Sequence, residues 1–378
     1  MERCVLMDEE LNLNPQQPPK KKKKTWVRVL LITLIIILCL ALITVSVVVI
    51  YIDSLLNKIN YAPDDDSRLS PEEVEQLEGE NTDYVTYDEE EEGPLPDIDE
   101  LEQELMKDPE ATAKPMPEAG SDENVINILL IGQDRRNEKR ARSDSMILVT
   151  FNKVKKTITF TSFLRDSYVQ IPGYKPNKLN HAFQYGGMKL LNETLWVNFG
   201  IRVDGNAEVD FNRFTKLIDL LGGVDIELTK KEVNYMTDNG RKWPELTPGM
   251  NHLTGEQALL YSRIRYIDTD YRRTERQRTV LMTLLNEYKN QSWAEMIVLL
   301  EEILPLVTTN MDKSQIWDYA RDLFPMVSGA NIKSQQIPAH GTFIGGTVRV
   351  RDGLKGWFEY NIDFDANRKI LQKTFSTD

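Results

Sequence analysis

Hydrophobic and polar positions divide the chain into three stretches. From Val29 to Ile52 the residues are Leu, Ile, Val and a few small or hydroxyl side chains, with no ionised group among them. From residue 60 to 125 large apolar residues are sparse and no period is sustained. Beyond residue 125 short apolar runs alternate with helical patterns. Asn127–Ile131, Met146–Asn152, Thr157–Phe160, Val224–Leu228, Lys333–Ile337 and Thr347–Val350 have strand length and composition. Phe211, Phe214, Leu217, Ile218 and Leu221 recur at helical spacing, with Asp210 as N-cap and Gly222-Gly223 as the stop. A second helix is expected from about Thr254 to Ile264, and a longer one over Thr274–Tyr288. The alternation predicts an α/β fold with helices covering a central sheet, and no internal repeat is visible.

The first apolar run is long enough to cross a hydrocarbon core of roughly 30 Å. A cleaved signal peptide would have a shorter core and a small-residue cleavage site, and bulky Leu38 before Cys39 argues against a lipoprotein anchor. Lys20 to Lys24 and Arg28 flank its N-terminal side, whereas acids dominate beyond the other. The positive-inside rule then predicts a cytoplasmic tail (1–28), one transmembrane helix (29–52) and an extracellular remainder. Cys4 and Cys39 are the chain's two cysteines, so the outer portion has neither disulfide nor thiolate metal site.

Charge separates linker from body. Residues 60–125 hold 24 acidic residues against Arg68, Lys107 and Lys114, which predicts a disordered, extended linker over 53–124. It reads as a spacer from the membrane, or as a docking site for a basic partner. The whole chain is −13, yet residues 126–378 carry 35 basic and 30 acidic residues, a net of +5. The domain expected over 125–378 is therefore mildly basic and long enough for a full core.

Between Arg263 and Arg278 stand six arginines, at 263, 265, 272, 273, 276 and 278, and no lysine. A planar guanidinium makes paired hydrogen bonds to phosphate or carboxylate, whereas lysine is a point charge. Charges this dense call for an anion such as a diphosphate. Nucleic acid is the competing ligand, and the predicted topology places the arginines on the wrong side of the membrane for it. Arg273, Arg276 and Gln277 can share a helix face, while Arg272 and Arg278 read as a solvated face paired with Glu275 and Asp270. Acid–base pairs also stand at successive strand ends: Asp134-Arg135, Arg142-Ser-Asp144 and Arg165-Asp166. If the first two strands pair, Asp134 and Asp144 meet at one end of the sheet, where open α/β sheets bind ligands. His181, His252 and His340 lack metal-ligand spacing, and there is no Gly-x-Ser-x-Gly elbow, so zinc and serine-hydrolase chemistry are disfavoured. Any metal would be Mg²⁺ or Mn²⁺ on carboxylate and phosphate oxygens.

These segments in order resemble the LytR-CpsA-Psr family of bacterial cell-envelope proteins: Asn127-Ile-Leu-Leu-Ile-Gly-Gln-Asp134, Arg142-Ser-Asp144-Ser-Met, Ser162-Phe-Leu-Arg165-Asp166, Lys178-Leu-Asn180-His-Ala and Tyr185-Gly-Gly187. Val209-Asp-Phe211, Leu221-Gly-Gly-Val-Asp225, Leu253-Thr-Gly-Glu-Gln-Ala258 and Arg263-Ile-Arg265 through Arg276-Gln277 continue the set. The resemblance covers most of 125–285, and 290–378 match only loosely. Arg272 stands where the family commonly has glycine, and Phe163-Leu164 replaces the more usual Ile-Pro.

The resemblance implies an α-β-α sandwich with a central mixed sheet and a deep apolar cavity for a lipid chain. It implies a phosphotransferase moving a glycopolymer from a polyprenyl diphosphate carrier to peptidoglycan, usually the C6 hydroxyl of N-acetylmuramic acid. By motif position Asp134 and Asp144 would hold Mg²⁺. Arg165, Arg263, Arg265 and Arg273 would clamp phosphate oxygens, supported by Arg276 and Gln277, and Asp270 would orient the arginines or assist the incoming hydroxyl. Two other readings stay open: a polyprenyl-diphosphate phosphatase, and a non-enzymatic glycan-binding or regulatory protein. Retention of both Asp134 and Asp144 argues against the latter.

Overall fold

The computed structural model describes residues 49–378 apart from 64–66, 80–83, 87, 89–92, 108–122, 135–140, 239–242, 266, 269, 352 and 378. Two compact units divide after Ser54, and of the first only 49–54 are described, as helix. The predicted membrane span therefore lies, over 29–48, outside the described residues. Among the described residues no helix is long and apolar enough to cross a membrane.

The second unit, Leu55–Asp378, contains β1 (Asn60–Tyr61), β2 (Val85–Thr86), β3 (Val125–Gln133), β4 (Ser143–Asn152), β5 (Thr157–Phe163), β6 (Tyr168–Val169) and β7 (Asn177–Lys178). It continues with β8 (Gly205–Asp210), β9 (Val224–Leu228), β10 (Gly249–Leu253), β11 (Thr308–Thr309), β12 (Asn331–Ile337), β13 (Ile344–Arg351) and β14 (Leu354–Tyr360). The main sheet has the order β1-β11-β8-β3-β4-β5-β12. It is mixed: β4 runs antiparallel to β3 and β5, while β8 is parallel to β3 and β12 parallel to β5.

Strand alternation sends apolar side chains to both faces. Leu129, Ile131, Met146 and Leu148 pack under the helices Leu179–Phe199 and Phe364–Phe375. Leu130, Ile147, Val149, Ile158 and Phe160 pack under Asp270–Tyr288 and Lys313–Val327. The architecture is therefore helix–sheet–helix, and each fully buried Leu or Phe contributes about 1.5–3 kcal/mol. A separate core joins the β9–β10 hairpin to the helices Phe211–Leu220, Lys230–Asp238 and Gly255–Ser262.

The expected caps are present. Asp210 accepts from the Arg213 amide at 2.9 Å, and Thr254 forms a capping box with Gln257. Gly222 and Gly223 end the first of these helices at φ +84° and +100°.

Parts of the acidic stretch are ordered where an extended chain was expected. Helices occupy Pro71–Gly79 and Ile98–Leu105, and Leu101 and Tyr84 are buried against Val348 and Phe358. Arg68 makes a forked ion pair with Glu193 at 2.7 and 2.9 Å. The long Leu179–Phe199 helix breaks at Gly186 and at Gly187, whose φ of 64° and ψ of −154° are open to glycine. The Tyr185 carbonyl next to the break accepts from the Leu69 amide at 2.8 Å, and Tyr174 donates to the Leu69 carbonyl at 2.6 Å. A few apolar residues and one arginine anchor this stretch point by point, while most of its described acids are exposed. Average composition does not register such isolated anchors.

The Phe211–Leu220 and Gly255–Ser262 helices touch backbone to backbone: a Cβ at Gly255 would lie 2.1 Å from the Thr215 carbonyl oxygen. Gly255→Ala is expected to destabilise the protein by about 1–3 kcal/mol, as overpacking does. Thermal denaturation should show the lower Tm, and an unchanged Tm would mean the helices do not meet there.

Candidate active site

One end of the sheet collects the predicted residues. Gln133 pairs with Ser143, so Asp134 and Asp144 leave the paired strands together. Ile147 of β4 pairs with Ser162 of β5, which brings Arg165 and Asp166 to the same end. Buried Gln133 closes the connection by accepting from the Ala141 amide at 3.0 Å and donating to Glu208.

Arg165 is the hub. Its Nη1 donates to Asp144 and its Nε to Asp166 at 3.2 Å, and Lys178 reaches the other oxygen of Asp166 at 3.2 Å. Arg265 stands 3.4 Å from Asp144. Arg263 lies 3.6 Å from Asp134, with its guanidinium 4.4 Å from the centre of the Phe211 ring. Burial works against ionisation of Asp144, yet Arg165, Arg265 and Arg273 outweigh it and hold the carboxyl below its usual range. Asp166 is likewise buried and likewise held down, by Arg165 and Lys178.

Arg273 differs from its neighbours. It is 1% exposed and donates from Nη2 to Asp270, the carboxylate oxygens lying at 2.8 and 3.0 Å. Its Nε and Nη1 are buried with no hydrogen-bond partner. Burial pulls its pKa down to about 10, with Arg165 and Arg265 adding repulsion, and burial also raises Asp270. For both members burial outweighs their mutual attraction. Arg273 stays a cation at neutral pH, short of negative charge, with two donors to give.

Arg273 is also one of the residues lining a cavity of about 250 Å³ between the sheet and the helices behind it. Its body is apolar, with Leu130, Ile147, Phe211, Phe214, Leu217 and Leu281 in the wall. Asp144, Arg263, Arg265, Arg273 and Gln277 supply its polar side chains. Gln277 is held by Ser145 at 3.1 Å. A ligand with a long apolar part and a multiply charged anionic end matches this lining.

Two arginines stand differently from expectation, and a third stands as expected. Arg276 does not offer its guanidinium to an anion, because Glu232 (2.7 Å), the Ile264 carbonyl (3.2 Å) and Asp268 take its nitrogens. It ties its helix to the neighbouring ones. Arg278 is buried, donating to Ser334 at 2.7 Å, where a solvated position was expected. Arg272 is exposed and paired with Glu275 at 2.7 Å, as expected.

The structure also adds groups to the site. Asp166 and Lys178 lie inside the recognised motifs without an assigned role. Glu359 carried no assignment at all. It is buried on β14, its amide donates to the Asp166 carbonyl at 3.0 Å, and its Oε2 has no partner. The available signal was an acid between Phe358 and Tyr360 on a strand pattern. Among the described residues no group of three or more His, Cys, Asp or Glu is placed to hold a metal ion.

Comparison with known proteins agrees with this geometry. The model of the LytR_cpsA_psr family matches residues 98–359. This chain belongs to the LytR_cpsA_psr family. It has named relatives in Bacillus. It is 29% identical over 282 residues to the polyisoprenyl-teichoic acid–peptidoglycan teichoic acid transferase TagU of Bacillus mycoides, covering 73% of this chain and 86% of the relative. It is 31% identical over 238 residues to the corresponding transferase TagT of Bacillus subtilis, covering 61% and 73%. The solved structure of the LytR-CPS2A-psr family protein YwtF (TagT) with bound octaprenyl pyrophosphate lipid superposes with a TM-score of 0.53 at 26% identity. That match covers 70% of this chain and 95% of the other. The match begins at residue 98, so the family's model includes part of the acidic stretch that packs on the body.

Glu359 sets a pH test for this LytR_cpsA_psr site. Burial, then the charges of Asp166 and Asp270, push its carboxyl from 4.5 to about 8. Between those values the unfolded chain releases a proton that the folded protein keeps, so this group's contribution to stability is present below pH 4.5 and lost as pH rises to 8. Glu359→Gln should therefore gain Tm relative to the parent protein between pH 5 and 8. A Tm difference that stays constant over that range would mean Glu359 ionises normally.

Proposed function

We propose that this chain is a membrane-anchored phosphotransferase that moves a glycopolymer from a polyprenyl diphosphate carrier to peptidoglycan. The observation that carries the reading is the apolar cavity lined at its polar end by Arg263, Arg265 and Arg273, the last with two buried nitrogens that lack a partner. It is supported by the named activities of TagU and TagT and by the octaprenyl pyrophosphate in the related structure. In this reading the polyprenyl chain occupies the cavity and the diphosphate sits among the arginines. Each charge-assisted hydrogen bond there is worth about 1.5–3 kcal/mol. Arg165 acts one step back, fixing Asp144 and Asp166, and Arg276 holds the helix that presents Arg273.

The acceptor hydroxyl attacks the sugar-side phosphorus. A new P–O bond forms, the bond to the bridging diphosphate oxygen breaks, and polyprenyl phosphate leaves. Asp270, with its carboxyl raised by burial, is the best-placed proton acceptor, and its contact with Arg273 couples proton uptake to the charge on the diphosphate. Positioning and electrostatics supply most of the rate. Asp134 and Asp144 would hold Mg²⁺ or Mn²⁺, a hard cation that typically takes one or two carboxylates together with substrate phosphates. Such an ion would neutralise diphosphate charge. The domain works outside the membrane, anchored by residues 29–52, with residues 1–28 in the cytoplasm. Protease added to intact cells should then degrade the body, and full protection would reverse the topology.

The test uses the full chain, a lipid-linked glycan donor, a peptidoglycan oligosaccharide and Mg²⁺, with products followed by mass spectrometry. Arg265→Ala should lower kcat/KM by about 10²–10³, as loss of one transition-state donor does, with little change in Tm. Chelation should stop turnover, and Mg²⁺ or Mn²⁺ should restore it. Free glycan phosphate without joined product would favour hydrolysis instead. Full activity in Arg265→Ala or in chelator would remove that arginine or the metal from the mechanism.

A further inference from the structure

We propose that Trp357 on β14 is the platform on which a pyranose ring of the peptidoglycan acceptor stacks. This rests on the phosphotransfer reading and adds the place of the acceptor. Trp357 is 51% exposed, an unusual setting for the largest apolar side chain outside a binding site. Its orientation is nonetheless fixed. The indole Nε1–H donates to Glu359 Oε1 at 3.1 Å, and a Cβ at Gly345 across the hairpin would lie only 3.1 Å from the ring. The ring thus lies against the strand backbone at glycine and keeps about half its surface open. A sugar ring offers the matching partner: a patch of C–H groups for the indole and hydroxyls for the polar surroundings.

Contacts lead from this platform to the reacting centre. Trp357 holds Glu359, whose amide donates to the Asp166 carbonyl, while the Asp166 carboxylate meets Arg165, and Arg165 meets Asp144 at the cavity wall. Trp357 and the lipid cavity therefore stand at opposite ends of one chain of contacts. Phosphoryl transfer needs the attacking and leaving oxygens roughly in line. The acceptor has to reach the phosphorus by a path that the polyprenyl chain does not fill, and Trp357 is an exposed aromatic joined to the reacting centre by those contacts.

The full chain has six tryptophans, so biosynthetic 5-fluorotryptophan gives six fluorine resonances, and Trp357→Phe assigns the one of interest. A peptidoglycan oligosaccharide, added without donor, should shift the Trp357 resonance saturably. Calorimetric titration with the same oligosaccharide should show Trp357→Ala binding at least about tenfold more weakly, while Trp357→Phe, which keeps an aromatic face, stays close to the parent. In the transfer assay Trp357→Ala should raise the acceptor KM by more than it changes the donor KM, and Trp357→Phe, which loses the same hydrogen bond to Glu359, should keep the parent's acceptor KM. Binding with the Trp357 resonance unmoved, equal affinity in the alanine variant, or no resonance moving at the highest oligosaccharide concentration would each overturn the proposal. Saturable binding at Trp357 with no transfer by the parent protein would sink the phosphotransfer reading and leave the platform standing.

Discussion

The burial of Arg273 without enough countercharge is the constraint around which the site is built. Moving a guanidinium out of water is costly, and a single partner such as Asp270 does not restore what hydration supplied. The neighbours make matters worse, because Arg165 and Arg265 repel it. Such an arrangement persists only if the rest of the fold holds it. Arg276 does part of this, locking the same helix through Glu232, Asp268 and the Ile264 carbonyl. Arg278 does more from the other flank by reaching Ser334 on β12. Two arginines of the dense run are thus structural, and they keep the third one aimed.

Much of the site was legible because its signals are local. Strand ends followed by Asp134, Asp144 and Arg165 can be read from hydrophobic runs, and pairing of neighbouring strands then brings the three together. Caps at Asp210 and Thr254 are equally local. What could not be read depends on partners distant in the chain. Helical spacing placed Arg273, Arg276 and Gln277 on one face, yet a helix face says nothing of Glu232, 44 residues away, which claims Arg276. Glu359 is farther still from Asp166, in a region where the family resemblance is loose.

The acidic stretch shows the same limit from the other side. Its composition predicts an extended chain, and most of its described acids are exposed to water. Order is imposed at a few points: Arg68 on Glu193, Leu69 beside the glycine break at Gly186-Gly187, and Leu101 under β13 and β14. The Glu78 carboxylate also accepts from Tyr185, beside buried His181. A stretch can be disordered on average composition and still dock, provided the folded body offers preformed receptors.

Charge balance connects the site to its ligand. Five cations (Arg165, Arg263, Arg265, Arg273 and Lys178) face four carboxylates (Asp134, Asp144, Asp166 and Asp270), with Glu359 held neutral by its burial. Among these described residues the surplus is a single positive charge. A diphosphate diester brings more negative charge than that, so the arginines alone would leave the loaded site negative just as the displacement shifts further charge onto the departing phosphate. A divalent cation on Asp134 and Asp144 would restore the surplus at that moment. Were Glu359 ionised as well, the surplus would vanish before any ligand arrived. The hydrophobic seat of Glu359 thereby becomes part of the anion-binding chemistry, although the residue itself touches no phosphate in this scheme.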